Sequence, residues 1–243
     1  MDPVRIFVGT EPSQYIAQQV LGDTIRKHTS SPVEIRYTRQ ELPRQGGTKF
    51  GFVRFMIPSL CGFQGKAIYM DADIVVYADI RELWDQLSDE KALGLVHDPV
   101  GIWGDKPVKK GIHSSVMVMN CERLADWKPE ALFKNVVSGK KELQDGQVRY
   151  SDFMSMKWVD PAIIQPIDTC WNHYNIVRED TKAIHFSHVR TQPWKSPKHE
   201  LTPTWEKELL DAIRRGAVKR SEVLREVLKL HIHPHFLKFA FAK

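Results

Sequence analysis

The most constraining feature of this chain is a pair of carboxylates at the end of a run that reads as a wholly buried strand. In "AIYMDADIVVYADI", Ala67, Ile68, Tyr69 and Met70 are followed by Asp71, Ala72 and Asp73, and a second apolar run from Ile74 to Tyr77 resumes at once. A short, continuously apolar run is what a strand covered on both faces of a parallel sheet looks like. The segments around it alternate. Strands are expected at 5–10, 33–38, 66–70, 92–97 and 114–120, and helices at 14–27, 80–87, 121–127 and 129–138. A further apolar, helical face spans 52–60 and breaks near Pro58, and residues 45–48 read as a loop. Ser13 and Asp79 are placed as N-caps, and Pro129 as a first-turn proline. Such alternation predicts an α/β domain with a mainly parallel sheet flanked by helices. Ligands of such sheets bind beyond the carboxyl ends of the strands, where Thr10 and Asp71 both fall.

Composition narrows the class. With 243 residues, 42% of them hydrophobic and 27% charged, the chain matches a soluble globular protein. A chain of this length buries about 70% of its unfolded surface and needs no covalent staples. Its three cysteines, Cys61, Cys121 and Cys170, are scattered in apolar contexts and form no CxxC pair. They read as reduced core thiols in a cytoplasmic protein, with no zinc site built on cysteine. Met1-Asp2-Pro3 leads straight into a strand, so no export leader is expected, and no apolar stretch approaches the ~20 residues of a membrane span. Of the net charge of +5, nine Lys/Arg against five Asp/Glu place +4 in residues 204–243. A nearly neutral body argues against a nucleic-acid-binding face and for a basic tail.

Two carboxylates one residue apart on a strand point to opposite faces. They converge on one ion only if the chain leaves the strand between them, and the small Ala72 permits that turn. Hard oxygen ligands suit Mg2+ or Mn2+, which would neutralise phosphate oxygens. The bland reading is a polar strand end with solvated carboxylates. Asp71-Ala72-Asp73-Ile74-Val75 also resembles the nucleophile motif of haloacid dehalogenase-type phosphatases. Those enzymes usually carry it on their first strand and need a later acidic pair, whereas Gly104-Asp105 is followed by Lys109 where a partner aspartate would stand.

"YMDADIVVYADIRELWD" (69–85) closely resembles the Asp-x-Asp segment of family 8 glycosyltransferases, retaining enzymes of the GT-A fold that include glycogenin and bacterial lipooligosaccharide galactosyltransferases. The likeness runs from about Arg5 to Trp194. It implies a Rossmann-like, mainly parallel sheet flanked by helices over residues 1–203, with a helical extension over 204–243. By this resemblance Val8, Gly9, Thr10 and Glu11, with Tyr15, stand where the family holds uracil and ribose. Ala72 lies in the nucleotide site, and Arg54 (or, more weakly, Lys49) lies near the diphosphate. The segment 111–120 matches an apolar strand beside the donor sugar, with His113 and Ser115 replacing the family's Asn and Gly around Ser114. Asp152, in "YSDF", stands at the family's Asp-Gln pair near the reacting carbon, although a helix cap explains it as well. Trp171-Asn172 resembles an aromatic-Asn segment and, with Trp194, would stand on the sugar and acceptor side, although a core or loop-stapling tryptophan explains Trp171 equally well. "AIHFSHVRTQPWK" (183–195) resembles a His-x5-Lys-Pro-Trp element, so His185 would be the third metal ligand beside Trp194. Its loop is one residue longer and Gln192 replaces the Lys, leaving Arg190 or Lys195 as the cation.

The resemblance implies a Mn2+- or Mg2+-dependent transfer of a hexose from a UDP-sugar to a glycan, lipid-linked or protein acceptor, with Arg54 and Asp152 as catalytic candidates. A nucleotide-sugar-binding protein that no longer transfers is the non-enzymatic alternative. Residues 204–230 carry apolar stripes expected to form one or two amphipathic helices parted at Gly216. The extension would pack on the body or, through Phe236, Phe239 and Phe241 among basic residues, touch the inner face of a membrane.

Overall fold

The computed structural model describes residues 2–39, 51–137 and 143–241; the expected loop at 45–48 and Lys49 lie outside them. The strands and helices that position the site are, in chain order, β1 (Val4–Gly9), α1 (Tyr15–His28), β2 (Val33–Thr38), β3 (Lys66–Asp71), β4 (Ile74–Val76), α2 (Ile80–Trp84), β5 (Leu93–His97) and β6 (Ile112–Asn120). They continue with α3 (Pro129–Lys134), α4 (Tyr150–Met154), β7 (Ile164–Ile167), β8 (His173–Tyr174), β9 (Ala183–His185), α5 (Thr202–Arg214), α6 (Arg220–Leu228) and α7 (Leu237–Phe241).

The main sheet runs β7-β5-β6-β3-β1-β2. Every strand runs the same way except β6, which is antiparallel to both β3 and β5. Side chains of a strand alternate between faces, and here both faces are apolar. Phe7, Ala67, Tyr69, Leu93, Leu95, Met117 and Met119 pack on one side with Phe52, Phe55 and Phe153. Val4, Ile6, Val8, Ile68, Met70, Val116 and Val118 pack on the other with Leu21 and Ile25 of α1. Burying each such large side chain contributes about 1.5–3 kcal/mol, which explains why β3 reads as uninterrupted hydrophobicity.

At Asp71 the chain leaves the sheet as expected. The Ala72 amide donates to the Gly9 carbonyl at 3.0 Å, which turns the chain into β4. A second, three-stranded sheet follows, ordered β8-β9-β4, in which β9 is antiparallel to β4 and pairs His185 with Ile74. Helices α5 to α7 share a third core with the outer face of α1: Ile16, Ala17 and Val20 meet Ile184, Trp194, Trp205, Val223, Val227 and Phe236.

Several local expectations are corrected. Ser13 does not cap α1; it lies in a 3-10 turn (Pro12–Gln14), and its hydroxyl donates to the Glu11 carboxylate at 2.6 Å. Pro58 does not break a helix but sits in the first turn of one, Ile57–Leu60, after a 3-10 turn at Val53–Met56, where its missing N–H has no partner to lose. Residues 121–127 hold only a 3-10 turn, Glu122–Leu124. Phe236 and Phe239, expected as membrane-inserting side chains, are buried under α5 and α6, while Phe241 is exposed. Asp79 does cap α2, accepting from the Arg81 amide, and Gly216, with φ of 78°, separates α5 from α6. No described helix is long and apolar enough to cross a membrane.

Candidate active site

Asp71 ends β3, Asp73 begins the turn into β4, and His185 ends β9. The β9–β4 pairing closes the gap between residues more than a hundred positions apart, and the Phe186 amide donates to the Asp73 carbonyl at 2.8 Å. As a result, one ligand atom from each of Asp71, Asp73 and His185 lies within 4.8 Å of the others, and all three side chains are buried. His185 Nδ1 lies 3.0 Å from Asn172 Oδ1. Its Nε2 faces Asp73 Oδ1 at 3.3 Å, and this oxygen accepts no hydrogen bond. Buried acceptors without a donor are rare because desolvating them is costly. Two carboxylates and an imidazole with open lone pairs form a donor set that fits Mn2+ or Mg2+.

The two carboxylates are held differently. Arg54 donates to both oxygens of Asp71, at 2.8 and 3.1 Å, and to Ser114 Oγ at 2.8 Å. Tyr69 donates to Asp71 Oδ1 at 2.6 Å. Burial still raises the Asp71 pKa above the usual carboxylate range, against the pull of Arg54. Burial would lower the Arg54 pKa, but the charge of Asp71 together with Tyr69, Tyr150 and Tyr174 outweighs it, and the guanidinium is held above its ordinary value. Asp73 accepts at Oδ2 from Gln192 at 2.9 Å. Gln192, wholly buried, also donates to the Phe186 carbonyl at 3.0 Å.

A cavity of about 720 Å3 opens beside this cluster, lined among others by Arg54, Asp71, His113, Ser115, Asp152 and His185. It brings together the expected sugar-side residues His113, Ser114 and Ser115 with Asp152, whose carboxylate is paired to Lys157 at 2.6 Å. On the other side of the cluster, at the end of β1, lie Gly9, Thr10 and Glu11. Val8 is buried in the core, so it can offer a ligand only backbone. The Tyr15 hydroxyl donates to Glu222 of α6 at 2.6 Å. Lys195 is half-buried; burial lowers its pKa, opposed by the charges of Glu11 and Asp73. Arg190 is exposed in a turn. Trp171 and Trp194 are not brought to the cavity: both are fully buried, in separate apolar clusters.

Five side chains contribute in roles that a sequence reading did not give them. Tyr174 lines the cavity and bonds His113, Tyr69 bonds Asp71, Gln192 bonds Asp73, and Lys109 and Lys110 stand together on the cavity lining. Tyr69 shares its space with Gly9, a contact that only the tertiary structure shows. A Cβ on Gly9 would lie 2.1 Å from the Tyr69 hydroxyl.

A family model described as glycosyl transferase family 8 matches residues 11–144. Protein CDI of Arabidopsis thaliana is 29% identical over 214 residues, which cover 79% of this chain and 80% of that protein. The apo glycosyltransferase GlyE of Streptococcus pneumoniae superposes with a TM-score of 0.66 over 96% of this chain and 64% of GlyE, at 14% identity. The apo bifunctional glycosyltransferase WbbM superposes with a TM-score of 0.61 over 85% of this chain and 49% of WbbM, also at 14% identity. The galactosyltransferase LgtC, solved with donor and acceptor sugar analogs, superposes with a TM-score of 0.57 over 88% of this chain and 100% of LgtC, at 10% identity. The chain thus spans about half of WbbM and under two thirds of GlyE. At these identities the structural likeness is one of fold.

Proposed function

The chain belongs to glycosyl transferase family 8, and from that premise we propose that it moves a hexose from a UDP-sugar to a glycan, lipid-linked or protein acceptor, retaining the anomeric configuration and requiring Mn2+ or Mg2+. The observation that carries this reading is the convergence of Asp71, Asp73 and His185, with His185 Nε2 facing an Asp73 oxygen that accepts no hydrogen bond. The haloacid dehalogenase reading has no such support, because Asp71 is clamped by Arg54 and Tyr69 rather than free to attack.

Cleaving a sugar–nucleotide bond leaves a diphosphate with additional negative charge. A divalent ion held by Asp71, Asp73 and His185 would supply Lewis-acid stabilisation of that charge. The remaining work falls to the chain. Arg54 favours the ionised form of Asp71 against its burial, Asn172 and Gln192 aim His185 and Asp73, and the Lys195 ammonium stands near both Glu11 and Asp73. Preorganised groups of this sort need no reorganisation as charge develops. The nucleotide would lie along Gly9, Thr10 and Glu11 at the end of β1, and the sugar and acceptor in the cavity lined by His113, Ser115 and Asp152. Residues 1–203 would form the transferase domain. Residues 204–243 would complete it and present Leu228, Leu230 and Phe241, all exposed, to the inner face of a membrane in the cytoplasm.

The test is UDP release from UDP-glucose and UDP-galactose with Mn2+. Turnover is expected in the wild type and a loss of at least ~10²-fold in Asp73→Ala, with circular dichroism unchanged. Full activity of Asp73→Ala, or of protein stripped with EDTA, overturns the reading. Tight binding of UDP-sugar without UDP release would identify a binding protein instead.

A further inference from the structure

We propose that His113, Tyr174 and Ser115 are positioning residues that set the ring tautomer of His185 through Asn172, and so decide which nitrogen it offers to the site. This rests on the metal-site reading above.

The four side chains and His185 form one unbroken hydrogen-bonded line. His113 Nε2 lies 2.8 Å from the Lys109 carbonyl, and His113 Nδ1 lies 2.8 Å from Tyr174 Oη. Tyr174 Oη lies 3.3 Å from Ser115 Oγ, which accepts from Asn172 Nδ2 at 2.9 Å. Asn172 Oδ1 lies 3.0 Å from His185 Nδ1. Ser115, Asn172, Tyr174 and His185 are all buried.

The line has a direction, and it is fixed at one end by a group that cannot change role. A carbonyl only accepts, so His113 Nε2 carries its proton and Nδ1 accepts the Tyr174 O–H. Tyr174 Oη then accepts the Ser115 hydroxyl. Ser115 Oγ, its proton committed, accepts from the Asn172 amide nitrogen. That fixes Asn172 with its oxygen toward His185, which must present Nδ1–H and leave Nε2 toward Asp73. Reversing Asn172 would set its NH2 against His185 and turn the Ser115 proton from Tyr174 to the Asn172 oxygen, breaking the line between Ser115 and Tyr174. The ring of Tyr174 also packs on both imidazoles, with centroids 5.2 Å from His113 and 4.6 Å from His185. Its strand is held by the Tyr174 amide donating to the Val100 carbonyl at 2.8 Å. Partners behind a metal-binding histidine fix its tautomer and ring orientation, and losing them typically costs about 10–100-fold in metal affinity.

The experiment uses 15N-histidine-labelled full-length protein without metal, read by long-range 1H–15N correlation, together with Mn2+ titration followed by electron paramagnetic resonance. The wild type is expected to show Nδ1–H at His185 and Nε2–H at His113. Tyr174→Phe and Ser115→Ala each remove one oxygen and keep the packing. Each is expected to mix the His185 tautomers and to weaken Mn2+ binding by about 10–100-fold. A merely structural role would lower thermal stability and leave the tautomer alone. The proposal is overturned if His185 carries Nε2–H in the wild type, or if both variants keep the wild-type tautomer. Failure of wild-type protein to bind Mn2+ would overturn the metal reading by itself, and the tautomer spectra of the metal-free protein still decide the relay.

Discussion

The guanidinium of Arg54 grips both oxygens of the Asp71 carboxylate, at 2.8 and 3.1 Å, where both side chains are almost wholly out of water. An arginine placed this way acts first on the protein and only then on a ligand. It supplies the charge that lets a carboxylate exist at the end of a buried strand. Removing one partner of such a pair leaves the other unpaired in low dielectric, which costs about 3–5 kcal/mol. Arg54→Met is expected to lose stability of that order in urea unfolding. Added Mn2+ should raise its melting temperature more than it raises that of the wild type, because the ion takes over part of the neutralisation. Equal shifts in both proteins would show that Asp71 is not a ligand.

Gln192 stands where the family resemblance placed a lysine, and its amide bridges Asp73 and the Phe186 carbonyl in a fully buried spot. Gln192→Leu leaves that carbonyl without the side-chain donor and frees Asp73 to rotate. A loss of about 1–3 kcal/mol is expected, together with a higher Mn2+ concentration for half-maximal turnover. Unchanged metal dependence would confine Gln192 to a structural role.

Gly9 and Tyr69 share one space. Because a Cβ at Gly9 would meet the Tyr69 hydroxyl at 2.1 Å, Gly9→Ala must displace the ring and with it the hydrogen bond to Asp71. A double-mutant cycle with Tyr69→Phe is expected to show a coupling of about 0.5–3 kcal/mol, the double variant being less destabilised than the sum. Additivity within error would contradict the contact.

The helical extension should set an acid limit on stability. Glu226, buried in α6, accepts from His231 at 2.7 Å, Arg225 at 2.9 Å and Lys229 at 3.2 Å. Burial by itself would raise its pKa; these three partners outweigh burial and hold it below the ordinary glutamate value. A depressed folded-state pKa means stability that is present above the unfolded value, about 4.3, and is lost as pH falls through the folded value. Urea midpoints of the wild type should therefore drop more steeply below about pH 5 than those of Glu226→Gln. Parallel pH profiles would show that the cluster contributes nothing.

A membrane role, if carried by the extension, rests on Leu228, Leu230 and Phe241 rather than on Phe236 and Phe239, which are buried. Deleting residues 204–243 would also strip Val223, Val227 and Phe236 from the core shared with α1, so point changes are the cleaner probe. Leu228→Gln with Leu230→Gln and Phe241→Ser is expected to abolish co-sedimentation with anionic vesicles and to spare co-sedimentation-independent UDP release. Equal partitioning of variant and wild type would remove the membrane reading.

The strands β1, β2, β3, β5 and β6, the turn at Ala72, the cap at Asp79 and the break at Gly216 were legible in the sequence, whereas β7 and β8, in the proline- and aromatic-rich stretch, were not. Local burial sets the apolar run of β3, and short-range backbone geometry sets caps and turns. The same local logic left the environments of Trp171 and Phe236 open and set Trp194 beside a ligand: an aromatic residue in a proline-rich or basic stretch does not reveal whether it faces a ligand, a lipid or a core. Ser13 was misplaced because its hydroxyl found the Glu11 carboxylate before the helix began.

What the chain by itself determined was a parallel-sheet architecture with two carboxylates at a strand end and the donor chemistry for a divalent ion. Which buried polar atoms face each other was decided only by tertiary structure. His185 meets Asp73 because β9 pairs with β4 in one register. Arg54 meets Asp71 across 17 positions, and His113 joins Tyr174 across 61. A hydrogen bond has a reach of about 3 Å and a required direction, so shifting that register by one residue would turn His185 to the opposite face of its strand and leave the same sequence without a site.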